Sequence, residues 1–173
     1  MDRPFGILFI SRRNSARSLM AEAVVRKLGE GKFNAYSAGV EPTPEVDLLA
    51  LDILRQTGYP TEGLRPKHWQ AFVGGDAPVL DFIFTLSATA AAHAFPDWPG
   101  KPVAAQWRYP DPTKAEGDDW QRRRAYSRVL SALERQMRIF LALPIASLDR
   151  IALDKRLAEL GADGHVEPSA PVE

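Results

Sequence analysis

Phe5-Gly6-Ile7-Leu8-Phe9-Ile10-Ser11-Arg12-Arg13-Asn14-Ser15-Ala16-Arg17-Ser18 passes from an unbroken apolar run into a polar, arginine-rich loop. The apolar part, Phe5 to Ile10, is too short for a signal-peptide core or a membrane span. Its length and its lack of alternation suit a strand buried on both faces. Beyond the loop, Leu19, Met20, Ala23, Val24 and Leu28 recur at helical spacing, and Gly29 and Gly31 punctuate the end of that helix. Phe33 to Ser37 reads as a second strand, ended by Ala38-Gly39. Residues 5–37 therefore form a strand–loop–helix–strand unit, a connection that is parallel and right-handed in nearly all cases.

The rest of the chain repeats the alternation. A second helix is expected over Pro44–Gln56, with proline in its first turn and Val46, Leu49, Ile53 and Leu54 as its apolar stripe. His68–Val73 suits a short helical turn, Val79–Leu86 a buried strand, Ala88–Ala94 a short helix and Val103–Trp107 a fourth strand. A long amphipathic helix is expected over Asp118–Leu143, buried through Tyr126, Val129, Leu130, Leu133, Met137, Phe140 and Leu141. Ser147 can cap a last helix, Leu148–Leu160. This predicts a three-layer α/β domain over residues 1–162, a four-stranded parallel sheet flanked by helices, and a polar tail over 163–173.

The 173 residues suit one domain, and 45% apolar with 25% charged residues excludes a disordered chain. Charge is balanced at 22 basic and 22 acidic residues, which argues against a general nucleic-acid binder or a membrane-surface protein. A cytoplasmic location is expected. Cysteine is absent, so disulfides and thiolate chemistry are excluded. His68, His93 and His165 show no paired spacing, and no zinc site is expected. Nor is there a Walker loop or a Gly-x-Gly-x-x-Gly stretch, so no nucleotide cofactor is expected. The basic run Gln121–Arg124 suits a solvated helix face better than a nucleic-acid patch.

In a parallel sheet, ligands sit at the carboxyl ends of the strands. That places interest on Ser11, Arg12, Arg13, Asn14, Ser15, Ala16, Arg17 and Ser18, between a strand and a helix N-terminus. Backbone N–H groups and the helix dipole there favour an anion, and a guanidinium matches two oxyanion oxygens at once. The competing reading is a capped helix start with solvated arginines. Trp107 and Tyr109 lead into Pro110-Asp111-Pro112; their rings either wall a substrate pocket or close the core.

Ser11 and Arg17 stand six apart with Ser18 following, and Met20-Ala21-Glu22-Ala23 lies behind them. With Tyr36-Ser37-Ala38-Gly39, Trp98-Pro99-Gly100 and Tyr109-Pro110-Asp111-Pro112, this resembles the low-molecular-weight protein tyrosine phosphatases and the thioredoxin-coupled arsenate reductases built on the same fold. The resemblance runs from about residue 5 to 161. It implies phosphate, arsenate or a phosphomonoester such as phosphotyrosine as ligand, with no cofactor. In that family a thiolate at the Ser11 position attacks phosphorus or arsenic. The arginine at the Arg17 position clamps the oxyanion, and the aspartate at the Asp111 position protonates the leaving oxygen. Asn14 would brace the loop, and Ser15 would hydrogen-bond the nucleophile.

The departures are chemical. Position 11 is serine, and no residue of the loop offers its hydroxyl a general base. The two further relay cysteines of arsenate reductases match Ser87 and Phe95, which cannot carry a disulfide, so reduction is excluded for this chain. A serine at position 11 is what an engineered trap or a natural loss of catalysis would leave. Some family members also hold a monovalent cation near the loop; Glu22 and Ser37 match two of its ligands, but no matching aspartate stands near Gln70, and no metal is assigned. The expectation is an oxyanion-binding protein inactive through Ser11. The alternative is a natural pseudophosphatase serving as a phospho-ligand or protein-binding module, with a homodimer through the last helix as one form of it.

Overall fold

The apolar run at the N-terminus is an inner strand. In the computed structural model, which describes residues 3–163, β1 (Phe5–Ser11) lies between β2 (Phe33–Gly39) and β3 (Phe82–Thr85), and β4 (Val103–Gln106) completes the sheet. The order is β2-β1-β3-β4 and every pairing is parallel. The helices are α1 (Arg17–Leu28), α2 (Leu48–Gln56), α3 (Ala88–Ala92), α4 (Asp119–Leu141) and α5 (Arg150–Asp163). This is the expected α/β architecture.

Side chains alternate between the two faces of the sheet. Ile7, Phe9, Phe82 and Phe84 join α1, α2 and α4 in the larger core cluster. Leu8, Ile10 and Ile83 join Trp69, Phe72 and Ala90 on the other face. α4 starts with a reciprocal capping box between Asp118 and Gln121 and buries Tyr126, Val129, Leu130, Leu133, Met137 and Phe140, the expected stripe with Leu141 only partly buried. Phe140 meets Phe82 and Phe84 edge-on, with ring centroids 5.1 and 5.3 Å apart.

Several boundaries differ from expectation. α2 begins at Leu48 rather than Pro44, because the Asp47 carboxylate accepts the Ala50 N–H and caps the helix there. α5 begins at Arg150; its cap is Asp149, which accepts the Ala152 N–H, and not Ser147. β2 runs on through Ala38-Gly39, where Gly39 pairs with Ser11. β3 is shorter than Val79–Leu86, and α3 stops at Ala92. Apart from Asp163, which ends α5, the expected tail lies outside the described residues, as does His165. No described helix is long and apolar enough to cross a membrane.

Candidate active site

β1 delivers Ser11 to the carboxyl edge of the sheet, and residues 12–16 wind from it into α1. Asn14 takes φ +50°, the left-handed region that asparagine tolerates better than most residues. Its side chain holds the corner from both sides. The Asn14 Nδ2 donates to Ser18 Oγ at 2.7 Å, and Asn14 Oδ1 accepts the Lys67 N–H at 2.9 Å. Ser18 Oγ lies 2.7 Å from Ser11 Oγ, and the Asn14 N–H donates to Ser11 Oγ at 3.2 Å. The partner of the position-11 side chain is thus Ser18, not Ser15.

The loop carbonyls bond outwards. Those of Ser11, Arg12, Arg13 and Ser15 accept the N–H groups of Val40, Glu41, Thr43 and Asp47 at 2.7–3.2 Å. This tie is the physical reason residues 40–47 run alongside the loop instead of starting a helix at Pro44. Gly39 makes the approach possible: a Cβ there would stand 3.0 Å from the Arg13 carbonyl carbon and from Asn14. A loop with its carbonyls turned out presents N–H groups on its inner side. The start of α1 has no side-chain cap; Ala16 stands at the N-cap. The helix start is thus uncapped, unlike the competing reading, and its turn keeps the N–H groups and dipole that attract anions.

Arg17 and Asp111 are 4% and 3% exposed. Arg17 donates from Nη1 to the Tyr109 carbonyl at 3.3 Å, and its Nη2 stands 3.7 Å from Asp111 Oδ2. Asp111 Oδ1 accepts the Thr113 N–H at 3.0 Å and the Thr113 hydroxyl at 2.7 Å. A cavity of about 400 Å³ lies here, lined by Arg13, Ser15, Asp47, Asp111, Thr113 and Lys114 among others. Arg13 is exposed, and Arg12 pairs with Glu41 at 3.6 Å.

Trp107 and Tyr109 do not wall this cavity. Both are 1% exposed and lie in the core. The Trp107 indole N–H donates to the Leu157 carbonyl at 2.8 Å, and the Tyr109 hydroxyl bonds Gln136. Satisfying those polar tips inside the core is what turns the rings away from the mouth. Ser87 is equally structural: its hydroxyl accepts the Ala90 N–H and caps α3. Phe95 packs against Trp69, His93 and Trp98. His68 packs its ring at a tilt against Trp69 and accepts the Gln70 N–H through Nδ1.

Three residues of the site escaped sequence reading: Asp47, Tyr126 and Lys67. Asp47 also accepts the Tyr126 hydroxyl at 2.9 Å, linking α2 to α4 beside the cavity. Burial first, then the nearby Asp47 and Asp111 carboxylates, push the Tyr126 phenol far above its usual pKa. An aspartate directly before an apolar helix was a readable cap. Lys67 sits in an irregular stretch where no periodicity points to it.

Glu22 is 3% exposed and accepts the Ser37 hydroxyl at 2.6 Å and the Arg26 guanidinium. The Lys67 ammonium stands 3.9 Å from Glu22 and donates to the Ser37 carbonyl at 2.9 Å. Burial draws the Lys67 pKa down, and Glu22 opposes that. With a tethered ammonium already between Glu22 and Ser37, these residues do not fit a free monovalent cation. Among the described residues, no cluster of three or more His, Cys, Asp or Glu is placed to hold a metal.

Known proteins share the sequence pattern and the fold. The family model for low molecular weight phosphotyrosine protein phosphatase matches residues 6–152. Arsenate reductase 1 of Staphylococcus epidermidis is 30% identical over 67% of this chain and 84% of its own length. The glutaredoxin arsenate reductase of Synechocystis is 27% identical over 61% of this chain and 77% of its own. The arsenate reductase of Archaeoglobus fulgidus superposes with a TM-score of 0.63 at 28% identity, covering 79% of this chain and 99% of its own. An arsenate reductase in a phosphate-binding state superposes at 0.62 and 23% identity, covering 80% of this chain and 97% of its own. By sequence, by fold and by the loop that joins β1 to α1, the chain belongs to the low molecular weight phosphotyrosine protein phosphatase family.

Proposed function

We propose that the chain binds a tetrahedral oxyanion (phosphate, arsenate or a phosphomonoester) in the Ser11–Ser18 loop and that Ser11 halts the reaction at binding. The buried Arg17 guanidinium at the loop, facing Asp111, carries this reading. It supplies a two-pronged charge to an anion seated on the loop N–H groups, with the α1 dipole behind it. The solved relative in a phosphate-binding state supports the choice of ligand.

The chemistry stops at the nucleophile. A covalent phospho-enzyme requires attack by the position-11 side chain while Asp111 protonates the departing oxygen. A thiolate forms readily beside a helix N-terminus, but a serine hydroxyl needs a general base. The Ser11 hydroxyl meets Ser18 Oγ and the Asn14 N–H, and neither takes a proton at neutral pH. Reduction of arsenate lacks its relay too, since Ser87 caps a helix and Phe95 belongs to an aromatic cluster. That cluster favours the second reading, a natural pseudophosphatase that recognises a phospho-ligand without turning it over.

The decisive experiment is hydrolysis of a generic aryl phosphate by Ser11→Cys beside the parent chain, with phosphate binding followed by thermal shift. The expected result is a parent that binds phosphate without turnover, and a variant that turns over and loses activity on adding Asp111→Asn. A folded but inactive Ser11→Cys variant favours the pseudophosphatase. A parent indifferent to phosphate and vanadate overturns the oxyanion reading altogether.

A further inference from the structure

Lys67 touches the anion loop through its backbone, and its side chain bonds the neighbouring β2 and the 65–67 segment. Its N–H holds Asn14 Oδ1 at 2.9 Å, and its carbonyl accepts the Gly39 N–H at 2.8 Å. Its ammonium donates to the carbonyls of Arg65 at 2.8 Å and Ser37 at 2.9 Å, and lies 3.4 Å from Ser37 Oγ. The buried Glu22 carboxylate stands behind, 3.9 Å away. Oxygens from α1, β2 and the 65–67 segment thus converge on the ammonium of the residue whose own N–H holds the left-handed corner of the anion loop.

We propose that the Lys67 ammonium is a resident cation that holds this loop in its binding shape and makes the site independent of free monovalent ions. The chemistry is that of any small cation among oxygens. An ammonium has three N–H donors, and three of the surrounding oxygens are a carbonyl pair and a hydroxyl suited to them. The carboxylate of Glu22 is paired with the Arg26 guanidinium, and the Lys67 ammonium adds a second positive charge on its other oxygen. The tether matters as much as the charge. The residue that supplies the cation also supplies the N–H that fixes Asn14, so the loop corner, the end of β2 and the buried carboxylate are held by one side chain and its own peptide. A diffusing ion would have to be bound afresh, at the cost of ion concentration; the lysine is present at every encounter. Lys67 is a positioning residue: the anion meets the loop, and Lys67 meets the loop at Asn14.

The inference rests on the oxyanion reading for one of its two readouts and stands free of it in the other. Phosphate affinity and thermal midpoint are measured for the parent, Lys67→Ala and Lys67→Gln, in potassium chloride, methylammonium chloride and tetramethylammonium chloride at equal ionic strength, so that screening is constant. The parent should behave alike in all three salts. In tetramethylammonium, which is too large to enter, Lys67→Ala should bind phosphate about tenfold more weakly, the size of loss seen when a supporting partner of a binding site is removed. Potassium or methylammonium should restore most of that affinity and raise the midpoint of Lys67→Ala but not of the parent. If the parent binds no phosphate, the oxyanion reading fails and the salt-dependent midpoint alone decides. If Lys67→Ala does not fold in tetramethylammonium, recovery of folding in potassium supports the proposal. A parent that itself needs potassium overturns it, as does a loss in Lys67→Ala and Lys67→Gln that no small cation repairs, or phosphate affinity unchanged in both variants.

Discussion

The Arg17 guanidinium and the Asp111 carboxylate face each other at 3.7 Å, and neither is more than 5% exposed. One is positioned to attract an anion and the other to repel it. The Asp111 carboxylate keeps Oδ1 on Thr113 and turns Oδ2 to Arg17, so it serves as a stand-in anion for the arginine. Arg17→Met should cost about 3 kcal/mol, because it strands a buried carboxylate. Asp111→Asn keeps an oxygen for Thr113 but removes the carboxylate charge that faces the arginine. Phosphate should therefore raise the thermal midpoint of Asp111→Asn more than that of the parent, and should not move that of Arg17→Met. Equal shifts in all three proteins would show that bound phosphate does not engage this pair.

How much of this was legible in the sequence follows from the range of each interaction. The sheet and α1 rest on local periodicity, and each strand stood where the apolar pattern put it, though β2 is longer and β3 shorter than that pattern. The loop could be singled out because its residues, Ser11 to Ser18, are contiguous. The aromatic residues before Asp111 could not be settled: nothing local tells that the Trp107 indole will find a carbonyl on α5, fifty residues on. Pro44 misled for a related reason. Proline is at home in a first helical turn, but residues 40–47 are claimed by the loop carbonyls, a contact between segments about thirty residues apart. Lys67 was invisible because its role depends on Asn14, Glu22 and Ser37 meeting it in space.

Asn14 offers a test of backbone strain against side-chain bonding. Both Asn14→Gly and Asn14→Ala lose the bonds to Ser18 and Lys67. Only alanine must also be forced to φ +50°. Alanine should therefore be the less stable of the two, by about 1 kcal/mol, in urea unfolding. In an ordinary helix or strand the order would be the reverse. Equal stability would mean that the corner relaxes to another conformation once asparagine is gone.

Tyr126 makes the protein sensitive to alkali. Its phenol is pushed up by burial and by Asp47 and Asp111, and that of Tyr59 is raised to about 12, chiefly by burial with Glu134 adding to it. A group with a raised pKa in the folded state keeps its proton where the unfolded chain has lost it. Its stabilising contribution is complete below the unfolded value near 10 and falls as pH rises above it. Each such tyrosine steepens the loss by up to about 1.4 kcal/mol per pH unit, reached once the unfolded phenol is fully ionised. Tyr126→Phe should be less stable than the parent at pH 8, having lost the bond to Asp47, yet lose stability less steeply between pH 10 and 11. Parallel curves across that range would show that Tyr126 ionises freely in the folded protein.

Gly161 shows how closely α5 is seated. Gly-to-Ala changes inside helices ordinarily stabilise by up to about 1 kcal/mol. Here a Cβ would stand 2.7 Å from Trp107 Cδ1 and 3.1 Å from the Gln106 carbonyl. The indole has little room to yield. Its N–H is bonded to Leu157, and its ring lies against Phe84 at a centroid distance of 4.5 Å. Relief must come from α5 lifting off the β4 edge, which also strains the Gln136 bond to the Leu160 carbonyl. Gly161→Ala should therefore destabilise by about 1–3 kcal/mol, the cost of overpacking, in urea unfolding followed by tryptophan fluorescence. Phosphate affinity should stay unchanged, because the Tyr109 carbonyl that meets Arg17 belongs to the loop after β4 and not to α5. A stabilised Gly161→Ala variant would mean that α5 does not rest on Trp107 in solution.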